Sequence, residues 1–219
     1  MKLKLLFAVV FVCTLFTTSY AQINKGAVWI GSNFSYAQNK VKPLEQIFDA
    51  DTRTVSILPS FGVSIKENLV LGIFGNYTTA HREQNNSAYY KIEDKTYGGG
   101  LLVRRYVPVV KRFYLYGEGR LGYSKTKSEQ YFSTSNASSY DITKSWETGL
   151  TFTPGIAYGI TRNILLEAGV AALFNAKYRS TETIYNSQLY SVKAFSAGVN
   201  LENAAAFTIG VHFLLNKKA

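Results

Sequence analysis

Two arginines and three glutamates stand out as residues able to do chemistry, because each interrupts a run of small or apolar neighbours: Arg104, Glu118, Arg120, Glu147 and Glu167. Leu102, Arg104 and Tyr106 alternate along one row, as do Tyr116, Glu118, Arg120 and Gly122, so all five charges can point to one side of a set of strands. Charges gathered away from water are tolerated only when paired, and two Arg with three Glu nearly balance. The chemistry this permits is an ion-pair network that fills a narrow space, or a path for a proton or small ion. Acyl-transfer chemistry is the rival. His81 could meet Ser35 or Ser145 together with Glu83 or Glu147, giving base, nucleophile and orienting acid. The second histidine, His212, falls on an inward row near the chain end. No Gly-x-Ser-x-Gly elbow and no metal-ligand cluster is present, and Gly98-Gly99-Gly100 opens a strand rather than a phosphate loop. No catalytic residue, cofactor or metal is therefore assigned, and the chain is read as non-enzymatic.

The elements that must carry these residues show a period of two. Val55, Ile57, Pro59, Phe61, Val63 and Ile65 form one row, with Ser56, Leu58, Ser60, Gly62 and Ser64 forming the other. The split recurs around 149–160, and again in the last strand, where Phe207, Ile209, Val211, Phe213 and Leu215 oppose Thr208, Gly210 and His212. About eight such runs are expected, near 26–37, 54–65, 68–79, 96–107, 113–124, 145–160, 163–175 and 204–215. Tight turns at 66–68, 108–112 and 161–163 alternate with long polar segments at 38–53, 80–95, 125–144 and 176–203. Short turns at one end and long loops at the other, with an apolar row and a row of Gly, Ser and Thr, predict an all-β fold: an eight-stranded antiparallel up-and-down transmembrane β-barrel. Eight strands enclose barely enough space for side chains, so the five charges are expected to plug the lumen. Pro59 and Pro154, in mid-strand, each delete a ladder donor and call for a bulge. Whether 190–203 extends the last strand or forms a separate hairpin stays open.

The 219 residues begin with a basic start, an apolar stretch from Leu5 to Phe16 and small residues at Ser19 and Ala21. This pattern predicts a cleaved signal peptide over 1–21 and a barrel domain over 22–219. The only cysteine, Cys13, would leave with the signal, which excludes thiolate metal sites and cysteine nucleophiles. Loss of Lys2 and Lys4 takes the net charge from +10 to +8. Lys25, Lys66, Arg105, Lys111, Arg112, Arg162, Lys217 and Lys218 gather at the short-turn end, where lipid headgroups would meet them, and this distribution argues against nucleic acid as a partner. Trp29, Tyr36, Tyr77, Tyr97, Tyr106, Trp146, Tyr158 and Tyr178 fall toward strand ends and are expected to form aromatic girdles.

Lys25-Gly26-Ala27-Val28-Trp29-Ile30-Gly31, Ile57-Leu58-Pro59-Ser60-Phe61-Gly62 with Asn68-Leu69-Val70-Leu71-Gly72, and Phe113-Tyr114-Leu115-Tyr116-Gly117-Glu118 then carry a resemblance, continued by 153–158 and 165–169. In order and spacing the chain resembles the porin-like outer-membrane β-barrel domain family, related to the small OmpA/OmpX-type barrels. The resemblance implies residence in the outer membrane of a Gram-negative cell with both termini periplasmic. It implies outer-membrane lipids, lipopolysaccharide and the barrel-assembly machinery as partners, an extracellular ligand met through the long loops, and a monomer by default. A structural or surface-interaction role is expected first, a small-solute porin second and a lipid A-modifying enzyme third. Phe213 stands nearest to the terminal aromatic residue that family members use in assembly.

Overall fold

A computed structural model describes residues 23–41, 49–85, 89–133, 138–170, 172–185, 188–199 and 207–215; the signal segment with Cys13 lies outside them. Ten strands follow in chain order: β1 Val28–Val41, β2 Asp49–Lys66, β3 Leu69–Asn85, β4 Tyr89–Val110, β5 Phe113–Ser133, β6 Ser138–Gly159, β7 Ile164–Val170, β8 Phe174–Tyr185, β9 Gln188–Val199 and β10 Phe207–Leu215. Each neighbouring pair runs antiparallel, and β10 returns to β1, so the ten strands occupy eight places in a ring. β6 explains the difference. Its lower end pairs with β7 and its upper part with β8, which makes those two strands successive halves of one wall position. β9 pairs with β8 and β10 with β7 in the same way.

The interruption has a cause in β6. Between the pairs Phe152↔Phe174 and Gly155↔Gly169 the facing chain advances five positions while β6 advances three. Pro154 has no N–H to give to that ladder, and Ala172 turns at φ 46°. The ladder is therefore interrupted beside Pro154 on the β7–β8 side, while β5 pairs past it in unbroken register at Gly117↔Pro154. Pro59 behaves differently: the β2–β3 ladder skips Leu58 and Pro59 and resumes in the same register at Ser60↔Phe74. The β2–β3 bulge falls instead at Ser64/Lys66, beside the tight turn where Asn68 takes φ 59°, and a matching bulge at Pro108/Val110 precedes Arg112 at φ 65°.

The row assignment follows the alternation. Ile73, Leu101, Leu121 and Leu150 lie side by side on adjacent strands and face outward, each about half exposed, whereas Ser60, Gly62 and Ser64 face in. With no water to compete in a bilayer, closing the ladder around a ring satisfies the backbone while this apolar face meets lipid. The long polar segments are a correction. Most of 38–53, 80–95, 125–144 and 176–199 is strand, because the hairpins continue past the apolar band. Cross-strand hydroxyl pairs hold them, Ser56 to Thr78 at 2.8 Å, Thr96 to Thr126 at 2.8 Å and Thr143 to Thr183 at 3.3 Å. Residues 188–199 form a strand of a hairpin with β8. Among the described residues β9 shares no ladder with β1, and the β1–β10 closure runs only from Val28↔Leu215 to Ser35↔Thr208.

Candidate functional site

The lumen is filled in two layers at the short-turn end. The lower layer is apolar: Ile23, Ala27, Val70, Tyr114, Leu165 and Leu214 are buried together. Ile23 is placed by the β2–β3 turn, donating its N–H to Asn68 Oδ1 at 2.9 Å and accepting from the Asn68 N–H at 3.0 Å. The segment just before the first strand therefore folds in and closes the floor.

Above it lies the charged layer. Arg104 is fully buried, and its Nε and Nη2 reach one oxygen of Glu118 at 2.7 and 2.5 Å. Its Nη1 pairs with Glu167 Oε2, and Arg120 Nε pairs with the second oxygen of Glu118. Two arginines and two glutamates thus balance, with Arg104, Glu118 and Glu167 shut off from solvent and Arg120 at the upper edge. The Tyr106 hydroxyl donates to Glu167 Oε1 at 2.5 Å while accepting from Trp29 Nε1 at 3.0 Å and Arg104 Nη1 at 3.1 Å. His212 stacks on Trp29 with centroids 4.1 Å apart, and its Nδ1 lies 3.0 Å from Glu167 Oε2. The Arg104 guanidinium sits 4.6 Å from the ring centres of both Trp29 and Tyr116, so aromatic faces take the sides that carboxylates leave open. Gly31 makes this packing feasible, since a Cβ there would lie 2.0 Å from the His212 ring.

Four of the five charges named from sequence meet in this layer. Glu147 does not. It stands higher in the lumen, bound by Arg179 at 2.6 and 2.9 Å and 3.5 Å from Lys177. Trp29 and Tyr106, expected in the girdles, are buried inside, whereas Tyr36, Tyr77, Tyr97 and Tyr158 are exposed on the outside. Residue parity held the signal: Trp29 shares a row with Gly31 and Asn33, and Tyr106 with Arg104. Phe213 points outward, opposite Ile30 and Ile164. His81 meets Glu83 at 2.9 Å and Glu93 at 3.7 Å, and among the described residues no contact joins it to Ser35 or Ser145. Farther out on the hairpins, hydrogen bonds from Lys91 and Lys127 hold the carboxyls of Glu93 and Glu129 below the usual range. Among the described residues no cluster of His, Cys, Asp and Glu could hold a metal ion.

Above the charged layer the lumen opens into a cavity of about 400 Å³, lined mainly by hydroxyl and amide side chains, with Arg120, Glu147 and Lys177 among them.

An antiparallel eight-place ring, apolar outside and polar inside, defines a small β-barrel of the outer-membrane type. Its fold is that of the OmpA/OmpX-type barrels. The outer membrane protein OprG from Pseudomonas aeruginosa is similar at 13% identity, with 89% of this chain and 98% of that chain covered and a TM-score of 0.50. A major outer membrane protein from Thermus thermophilus is 7% identical over 87% of this chain and 99% of its own, at a TM-score of 0.42. Ail, the attachment invasion locus protein of Yersinia pestis, is 15% identical over 87% and 99%, at 0.33. The likeness is one of fold, and OprG carries it. No protein-family model matches the sequence, and no curated protein matches it.

Proposed function

We propose that this chain is an outer-membrane barrel with a structural or surface-interaction role, its lumen closed by the Arg104–Glu118–Glu167 layer and its termini in the periplasm. The observation that carries the reading is the burial of that layer. Arg104, Glu118 and Glu167 are at most 1% exposed and fill the section that a solute would have to cross. The barrel would be solvated by outer-membrane lipids and lipopolysaccharide, receive its fold from the assembly machinery with Phe213 read as the signal, and present the four hairpins to partners outside. It carries out no catalysis on this reading.

Planar-bilayer conductance of the refolded protein is the test. The wild type is expected to stay closed, while Arg104→Ala and Glu118→Ala, each removing a side chain that spans the lumen, give measurable openings. Discrete wild-type openings would overturn the closed reading and favour the small-solute porin.

A further inference from the structure

The cavity above the charged layer is a cup, with hydroxyl and amide groups set among small and apolar residues on its walls and stopped below, and nothing in the closed-lumen reading uses it. Its 400 Å³ would hold roughly a dozen waters at bulk density, or one to two sugar units. We propose that the cup is a binding site for a small sugar acid, a polyhydroxylated ligand of one or two units bearing a carboxylate.

Three observations point to that chemistry. The first is the composition of the wall. Ser56, Asn76, Ser124 and Thr151, from four different strands, line it, and each side chain both donates and accepts, as a polyol requires from several directions. The second is an acceptor with nothing to accept. Asn33 also lines the cup and is 2% exposed, yet its Oδ1 has no hydrogen-bond partner among the described residues. A buried amide oxygen in that state is destabilising, and a ligand hydroxyl that reached it would supply the missing bond. The Asn33 position is held open by Gly210, where a Cβ would come within 2.9 Å of that oxygen.

The third is the sign of the charge. Arg120 and Lys177 line the cup together with one carboxylate, Glu147. Glu147 is already held by Arg179, a cation outside the lining, so Lys177 is left facing the space with a half-shared partner at 3.5 Å. Arg120 lies over Phe74 with its guanidinium 5.3 Å from the ring centre, which supplies one flat apolar patch at the base. A cationic ligand would meet net repulsion here, and a lipid chain would strip water from hydroxyls without replacing their bonds. Arg120 is already paired with Glu118, so a carboxylate directed at Lys177, with hydroxyls toward the walls, suits the lining.

The inference rests on the closed-lumen reading, since the layer below makes the cavity a cup. The full mature chain, refolded in detergent micelles, would be titrated calorimetrically with D-glucuronate, D-glucose and acetate, with bilayer conductance recorded alongside. Saturable one-to-one binding of glucuronate is expected, with glucose weaker by about tenfold or more and acetate not saturating. Lys177→Gln should cost glucuronate about tenfold and leave glucose unchanged; Asn33→Leu should weaken both. Because Lys177 lies above the charged layer, its variant tests the cup even if Asn33→Leu fails to fold. A silent barrel with no saturable glucuronate binding overturns the site, as does equal affinity for glucose and glucuronate, or binding indifferent to Lys177→Gln. A conducting barrel that still binds glucuronate through Lys177 overturns the closed lumen and supports the site.

Discussion

Refolded Glu167→Gln is expected to lose about 3–5 kcal/mol of stability, the usual cost of removing one partner from a buried ion pair. Glu167 is the junction of the layer: it pairs with Arg104, accepts from Tyr106 and lies against His212. With a neutral amide in its place, Arg104 keeps only Glu118, which Arg120 already shares. The charge left over sits where no water reaches it. Glu147→Gln is the control, because its pair with Arg179 is partly exposed and worth about 0–1 kcal/mol. Urea unfolding in lipid vesicles, followed by tryptophan fluorescence, would compare the two. Trp29 reports on the layer directly through its stack on His212. Equal losses for Glu167→Gln and Glu147→Gln would show that the layer is not the dry, coupled unit described.

Leu101→Arg is expected to cost about 2–4 kcal/mol in membrane insertion, the value for a cation placed at the middle of a lipid-facing barrel wall. Leu101 lies on the outward row of β4, four residues from Arg105 on one side and four from Tyr97 on the other, so it falls midway between the rims. A guanidinium there cannot reach either headgroup layer without distorting the wall. Ser124→Arg, directed into the polar cavity, should insert normally. Heat-modifiable gel migration after refolding into vesicles separates the outcomes, and indifference to Leu101→Arg would reverse the inside and outside of the barrel.

The fold was legible because a half-buried strand writes its two faces into alternate residues, and the tight turns bracket the strands cleanly. Strand length was less legible. In 80–95 and 125–144 both faces are polar, so alternation of hydrophobicity vanishes while the backbone ladder continues, as Lys95↔Lys127 and Thr96↔Thr126 show. The charges of the lumen were readable for the same reason as the strands, since Arg104 and Glu118 interrupt otherwise apolar or small rows. Their partners were harder to find. Trp29 near a strand end looks like any interfacial aromatic until its row is followed to Gly31 and Asn33, and only the register places His212 beside Gly31. The height of Glu147 was hidden too, because sequence parity fixes which way a side chain faces but not its level once strands are staggered around a ring. Ile23 gave no signal at all, since its burial depends on the β2–β3 turn forty-five residues away.

The reach of the β4–β5 hairpin bears on the bilayer itself. Its ladder keeps one register from Val107↔Leu115 out to Tyr89↔Ser133. At about 3.4 Å per residue and some 40° of tilt these pairs rise roughly 50 Å, about twice the apolar band of about 25 Å for barrels of this kind. About half of this wall therefore stands outside the hydrocarbon as a stalk, where water competes for every ladder bond and cross-strand pairs such as Thr96 with Thr126 keep the two strands in step.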